Sequence, residues 1–209
     1  MENAMKLYFA PMACSLAPHI ALRELGLPFE LVRVDNQTKR TGDGRDFLDI
    51  NPKGYVAALA LDNGEVLTEG PAILQYLADL KPDAGLAPEN GGWPRARLQE
   101  MLNFIATELH GGSAPLFRSN LPETALQIFR DKLFQRLDWL EDRLQTQPCL
   151  LGDRFGIADA YLYAVLGWLP RFGIDIALWP ALHAYFQRID ARPAVRAAHR
   201  AEETAAPAR

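Results

Sequence analysis

The chain has 209 residues, of which 49% are hydrophobic, so it is long enough to bury one large core or two smaller ones. Its 22 basic and 26 acidic residues give a net charge of −4 without a long run of one sign, which disfavours nucleic-acid binding. Two cysteines and four histidines give neither a disulfide framework nor a metal-ligand spacing. No apolar run reaches membrane-spanning length, so a soluble cytoplasmic protein without a metal is the default expectation.

The first predicted elements surround Cys14. The run from Lys6 to Phe9 favours a β-strand, and the sequence becomes helical from Ser15 until the glycine at position 26. Cys14 therefore falls at or just before a helix N-terminus, where unpaired N–H groups and the positive end of the helix dipole gather. A thiol placed there should lose its proton more readily than a free one. From this stretch alone, Cys14 is either a reactive thiol, a site for a sulfur ligand, or a small buried residue in a tight turn.

A second strand is predicted over 29–34. It completes a βαβ unit whose two strands should be parallel. The polar segment 35–46 is predicted to be a loop, and its Lys39 is either simply solvated or able to reach an anionic ligand. A short helical stretch is expected over 45–50.

An Asn63-Gly64 pair between the apolar runs 57–61 and 65–67 predicts a β-hairpin. A helix should follow, with Thr68 as its N-cap and Glu69 in its first turn. Glu69 either caps this helix or accepts a hydrogen bond from the ammonium group of a ligand. The element order is then βαβαββα, a compact α/β unit of about eighty residues.

Proline and glycine concentrate between residues 81 and 95, which indicates a linker. Beyond it the β signals cease. The helices expected there lie near 98–109, 126–144, 157–169, 180–191 and 193–200. The first two keep an apolar periodicity of 3.6 residues, and 157–169 is apolar nearly all round, which is typical of a helix central to an all-α core. The chain therefore divides into an α/β domain over 1–82, a linker over 83–95 and an all-helical domain over 96–209.

Four motifs carry a family likeness. In chain order they are Pro11-Met-Ala-Cys14-Ser15-Leu-Ala-Pro-His19, Asn51-Pro-Lys-Gly54, Leu67-Thr-Glu69-Gly70 and Gly152-Asp-Arg-Phe-Gly-Ile-Ala-Asp159-Ala. With these motifs the sequence resembles the cytosolic glutathione S-transferases, and most closely their bacterial beta class. The resemblance implies a thioredoxin-like first domain, an all-α second domain and usually a homodimer. It also implies glutathione as co-substrate and a small hydrophobic electrophile as the second substrate.

The resemblance assigns site residues in the first domain by position. Cys14 matches the cysteine that distinguishes the beta class, close to the glutathione sulfur and able to form a mixed disulfide with it. Ser15 matches the hydroxyl position beside that cysteine. Lys39 matches a basic residue near the glycine carboxylate of glutathione. Val56 matches the position whose backbone pairs with the cysteinyl unit.

Glu69 and Gly70 match the pair that receives the γ-glutamyl end of glutathione. Asn103 and His110 match residues of the helical domain that lean over the bound thiol, where His110 could orient a thiolate or donate a proton to a leaving group. The seven-residue spacing predicts that Asn103, Thr107 and His110 share one stripe of a helix. From spacing alone such a stripe is also consistent with a plain solvated face.

The chief departure from the family pattern is Ala57, which stands where the family has a cis-proline after the valine. The Val56–Ala57 loop is then either trans and differently shaped, or held cis by the packing around it. This departure motivates an alternative function: a catalytically weak, transferase-like ligand carrier or interaction protein. A third interpretation, a glutathione-dependent isomerase or dehalogenase, differs only in the electrophile pocket.

Other positions allow structural interpretations. Cys149 is interpreted as a buried structural thiol. Gly156 stands where the family has a Ser or Thr cap, which leaves Asp159 to satisfy the helix turn alone. Three further residues either line the electrophile pocket or pack in the core: Pro115, Phe117 and Trp168.

Overall fold

A computed structural model describes residues 5–205, which form two compact units, residues 5–85 with 191–205 and residues 86–190. The ends of the two predicted domains, residues 1–4 and 206–209, lie outside the described residues. In chain order the elements are β1 (Met5–Phe9), α1 (Leu16–Leu25), β2 (Phe29–Arg33), β3 (Ala58–Ala60), β4 (Val66–Thr68), α2 (Gly70–Leu80), α3 (Trp93–Phe104), α4 (Glu123–Leu144), α5 (Ile157–Leu166), α6 (Pro180–Asp190) and α7 (Pro193–Thr204). Within residues 5–205 no helix combines the length and the apolarity that crossing a membrane would require.

The first unit contains a four-stranded sheet in the order β2-β1-β3-β4. β1 and β2 are parallel, whereas β3 is antiparallel to both β1 and β4, so the predicted βαβ unit and hairpin are confirmed. Gly64 closes the hairpin with a φ of 86°, a backbone conformation that glycine adopts without steric penalty. Its N–H donates to the Leu61 carbonyl at 3.0 Å.

Two local predictions in this unit are wrong in detail. The helical stretch expected over 45–50 is only a 3₁₀ turn, Phe47–Asp49, because Asn51-Pro52 follows at once and proline opposes continuation of a helix. Thr68 does not cap α2. It ends β4 in register with Ala58, so Glu69 occupies the cap position.

The sheet of the first unit has a buried layer on each face. Side chains alternate along a strand, so Tyr8, Val32 and Ala58, which are neighbours in register, share one face, and they pack in one cluster with Phe47. The opposite face is formed by further buried residues, Leu7, Phe9 and Leu59. α1 and α2 pack against each other and are themselves apolar on their buried sides.

The last helix, α7, belongs to the first unit, which differs from the predicted extent of the helical domain. α7 packs against α1. Arg192 pairs with Glu24 through two bonds, Nε to Oε1 at 2.7 Å and Nη2 to Oε2 at 3.0 Å. Apolar periodicity indicates that one face of a helix is buried but not which element covers it.

The second unit contains α3 to α6. Every residue of α5 is buried, which confirms the prediction of a central helix. At its start the Asp159 carboxylate accepts hydrogen bonds from the backbone N–H groups of Leu150 and Gly156, each at 2.9 Å, and from the Tyr185 hydroxyl at 2.9 Å. Burial raises the pKa of Asp159, whereas these three donors lower it. Asp159 therefore satisfies the turn without a capping side chain at Gly156, as predicted.

Candidate functional site

Ser15 holds the turn between β1 and α1. It occupies the N-cap position of α1, but its side chain caps no helix N–H. Its hydroxyl instead accepts a hydrogen bond from the Ala10 N–H and donates to the Ala10 carbonyl, both at 3.3 Å. Since Ser15 is fully buried, this pair of bonds fixes the backbone from which Cys14 projects.

The Cys14 thiol is half-buried and donates a hydrogen bond to the Val56 carbonyl at 3.3 Å. The pKa of Cys14 is raised to about 11, chiefly by burial, and the charge of Glu69 contributes to this rise. Backbone N–H groups of Cys14, Ala57 and Ser15 lower the pKa but do not outweigh burial. The expectation of a thiol that loses its proton more readily than free cysteine is therefore wrong for this structure. The reason is that position at a helix N-terminus says nothing about desolvation of the sulfur.

The loop around Val56 carries two of the predicted site residues. The Val56–Ala57 peptide is cis, one of the two shapes that the sequence leaves open. Lys39 has a φ of 57°, and its ammonium donates to the Gly54 carbonyl at 2.9 Å and lies 5.8 Å from the centre of the Tyr55 ring. The structure thus brings Cys14, Lys39 and Val56 to one loop.

Glu69 lies at the start of α2 with a φ of 71°, which is unusual for a residue with a β-carbon. Its carbonyl accepts the N–H groups of Ala72 and Ile73, each at 3.0 Å. The side chain is 68% exposed, and its Oε1 pairs with the Lys53 ammonium at 2.8 Å. A carboxylate held in this way is accessible to a ligand that can compete with a lysine.

Asn103 and His110 do not share the predicted helical stripe. α3 continues as a π-helical segment, Ile105–Gly111. Because such a segment carries more than four residues per turn, a seven-residue spacing no longer returns to one face. Asn103 is exposed, whereas His110 is half-buried and its Nδ1 lies 2.7 Å from the Tyr161 hydroxyl.

An aromatic cluster surrounds His110 within the second unit. The Trp168 ring lies 4.9 Å from the His110 ring, and Phe117 lies 5.4 Å from Trp168 and 4.7 Å from Phe172, all in edge-to-face geometry. Phe117 remains 43% exposed, so the cluster offers apolar surface. The sequence analysis did not identify Tyr161 as a partner of His110. The signal for it was the seven-residue spacing of Tyr161 from Trp168, which places the two aromatic residues on the same side of a helix.

Cys149 is buried, as predicted for a structural thiol. Within the described part of the chain, no three His, Cys, Asp or Glu side chains come together as a metal site requires.

Comparison with known proteins gives the family. A family model described as the glutathione S-transferase N-terminal domain matches residues 11–80, and one described as the C-terminal domain matches residues 104–193. The chain belongs to the glutathione S-transferase family. This transferase is 46% identical over 198 residues to glutathione S-transferase GstA of Escherichia coli O157:H7, covering 95% of this chain and 98% of that one.

Solved structures agree with this assignment. A sphingomonad glutathione S-transferase complexed with glutathione is 48% identical with a TM-score of 0.92, covering 96% of this transferase and 100% of that chain. A bacterial beta class glutathione S-transferase of Sphingomonas chungbukensis is 46% identical with a TM-score of 0.91, covering 96% and 100%. The predicted fold, the transferase class and glutathione as co-substrate are confirmed.

Proposed function

We propose that this transferase conjugates glutathione to small hydrophobic electrophiles and also carries out thiol–disulfide exchange with glutathione disulfides through Cys14. The observation that supports this most directly is the contact between the Cys14 thiol and the Val56 carbonyl. It indicates that a sulfur atom fits beside this backbone. Among residues 5–205, the Val56 N–H donates to no backbone carbonyl, so the amide is open to a ligand.

Each remaining site residue has a proposed partner on glutathione. The Val56 backbone pairs with the cysteinyl unit, and the Lys39 ammonium lies near the glycine carboxylate. Glu69, with Gly70, receives the γ-glutamyl ammonium, for which the Lys53 ammonium is a stand-in in this structure. These assignments pair the ammonium and the glycine carboxylate of the tripeptide with opposite charges on the protein.

The reacting sulfur of the conjugation is that of glutathione. Since the pKa of Cys14 is about 11, Cys14 carries its proton near neutral pH and acts as a hydrogen-bond donor. Its S–H, with Ser15 holding the turn, can stabilise the glutathione thiolate. That thiolate attacks the electrophilic carbon and forms a C–S bond, while the leaving group departs with its electron pair. For Asn103 and His110 the roles proposed are those that the family resemblance implies, with His110 as a hydrogen-bond donor to the sulfur or to the leaving group.

Thiol exchange uses the same residues differently. A thiolate attacks one sulfur of a disulfide, and the other sulfur leaves as a thiolate. When Cys14 is the attacking group it must first lose its proton, so its raised pKa predicts that exchange accelerates with pH. Conjugation by the glutathione thiolate does not require that ionisation.

Binding and turnover test the proposal together. The purified protein should be retained on immobilised glutathione and should conjugate glutathione to chlorodinitrobenzene. A Cys14→Ala variant should lose exchange with a glutathione mixed disulfide, whereas the buried Cys149→Ala control should keep it. Failure to bind glutathione and to turn over either substrate would refute the proposal.

The alternative is the ligand carrier suggested by Ala57. Isothermal titration separates the two, because a carrier binds bulky apolar ligands without measurable affinity for glutathione. We also propose a cytoplasmic homodimer, in keeping with the family resemblance. Sedimentation should then give twice the chain mass of 23.3 kDa.

A further inference from the structure

The imidazole of His110 is held on two sides by buried aromatic residues. The Tyr161 hydroxyl lies 2.7 Å from Nδ1, and the two rings meet edge to face with their centres 5.9 Å apart. Trp168 meets the imidazole edge to face from 4.9 Å. Tyr161 is 2% exposed and Trp168 is 5% exposed, so neither partner is a mobile surface side chain.

The π-helical segment creates this contact. His110 would fall on the stripe of Asn103 if the segment were α-helical, but the wider turn rotates it away from that stripe. The segment closes on Gly111, where an added β-carbon would lie 3.1 Å from the Ala106 carbonyl oxygen. The local backbone is therefore shaped to bring His110 to Tyr161.

The direction of the hydrogen bond follows from the acidity of the two groups. A phenol has a pKa of about 10 and is a better donor than the N–H of a neutral imidazole. An imidazole nitrogen, which is protonated with a pKa of about 6.5, is a better acceptor than a phenol oxygen. Tyr161 therefore donates to Nδ1, and the single proton of the neutral His110 ring resides on Nε2.

We propose that Tyr161 is a positioning residue that fixes both the orientation and the tautomer of His110. The ring then presents Nε2–H, a neutral donor, and not a basic nitrogen. This proposal rests on the proposed function where it gives His110 a role in turnover, but the tautomer itself is independent of that role. In turnover, Nε2–H donates a hydrogen bond to the sulfur anion or to the leaving group, and the proton stays on the ring.

The chain offers a matched control for removal of the hydroxyl. Tyr163 lies on the same helix, is 3% exposed and donates to Asp190 at 2.7 Å. Tyr161→Phe and Tyr163→Phe each remove one buried hydroxyl and, with it, a side-chain hydrogen bond of 2.7 Å. A merely structural effect should therefore be similar in the two variants.

Nitrogen-15 NMR of the imidazole reads the tautomer directly, with His110→Asn used to assign the signal. The expected result is the Nε2–H tautomer in the wild type and in Tyr163→Phe, and a mixture of tautomers in Tyr161→Phe. Steady-state kinetics with chlorodinitrobenzene should show kcat lowered about tenfold in Tyr161→Phe, the loss of about one hydrogen bond. The KM for glutathione should stay close to the wild-type value.

Three results would overturn the proposal. They are an Nδ1–H tautomer in the wild type, an unchanged tautomer in Tyr161→Phe, and equal kinetic losses in the two Tyr→Phe variants. Full turnover in His110→Asn would instead refute the role given to His110 under the proposed function. The NMR result on Tyr161 would stand in that case, so the two failures are distinguishable.

Discussion

Glu202, on the last helix of the chain, accepts a hydrogen bond from Nδ1 of His19 on α1 at 2.9 Å, and both side chains are buried. Arg23 donates through Nε to the other ring nitrogen of His19 at 2.8 Å. Because arginine is only a donor, His19 must accept at Nε2 and carry its proton on Nδ1. The hydrogen-bonded triad Arg23–His19–Glu202 therefore links α7 to α1 through a neutral imidazole.

Burial shifts the pKa values of the two titrating groups in this triad, His19 and Glu202, in opposite directions. It lowers the pKa of His19 from 6.5 to about 3, with the charges of Arg23 and His199 adding to the effect. It raises the pKa of Glu202 from 4.5 to about 8, although His199 and Arg23 oppose the rise. His19 thus favours the folded state fully above pH 6.5, and its contribution is lost as the pH falls towards 3.

The Glu202 contribution is complete below pH 4.5 and is lost as the pH rises through 8, because the folded state retains a proton that the unfolded state releases. We therefore predict that the free energy of unfolding of the wild type falls, relative to that of Glu202→Gln, between these two pH values. Urea titrations at several pH values measure this difference. Glu203→Gln, at an exposed position on the same helix, is the control and should follow the wild type. A constant difference between wild type and Glu202→Gln would contradict the prediction.

A second prediction concerns the reactivity of Cys14. Since its pKa is about 11, alkylation by iodoacetamide without glutathione should keep accelerating from pH 7 to pH 10. The rate is measured in a Cys149→Ala background so that a single thiol reports. A rate that reaches a plateau near pH 7 would mean that the helix N-terminus lowers the pKa of Cys14 by more than burial raises it. Glutathione should slow the reaction because it covers the sulfur.

A third prediction concerns Glu69. Glu69→Gln removes the charge proposed to bind the γ-glutamyl ammonium, so the dissociation constant for glutathione should rise about tenfold in isothermal titration. Glu30→Gln is the matched control. It breaks an exposed pair of the same kind, Lys6 with Glu30 at 2.6 Å, and should leave glutathione affinity unchanged. Equal losses in both variants would show that general charge, and not this carboxylate, governs binding.

A fourth prediction contrasts two glycines that precede helices, Gly156 before α5 and Gly92 before α3. A β-carbon at Gly156 would lie 2.8 Å from the Leu86 carbonyl oxygen, whereas at Gly92 it would meet only Pro94 at 3.5 Å. Gly156→Ser should therefore lower the free energy of unfolding by about 1–3 kcal/mol. Gly92→Ser should change it by about a few tenths of a kcal/mol at most. Thermal or urea unfolding checks both, and a Gly156→Ser variant as stable as the wild type would contradict the clash.

The sequence by itself determined the features that depend on neighbouring residues. Cys14 at the start of α1, the hairpin at Asn63-Gly64 and the buried helix at 157–166 each follow from local turn chemistry or apolar periodicity. The family motifs are local in the same sense, so the order of a few short segments along the chain is enough to indicate a glutathione transferase.

Tertiary structure decided what depends on contacts between distant residues. Only the fold shows that α7 meets α1, that His110 turns towards Tyr161, and that burial holds the proton on Cys14. The physical reason is that a hydrophobic pattern specifies which face is hidden but not which group hides it. Desolvation is the largest cause of the pKa shifts of Cys14, His19 and Glu202. It depends on which residues cover each group and on how much water can still reach it.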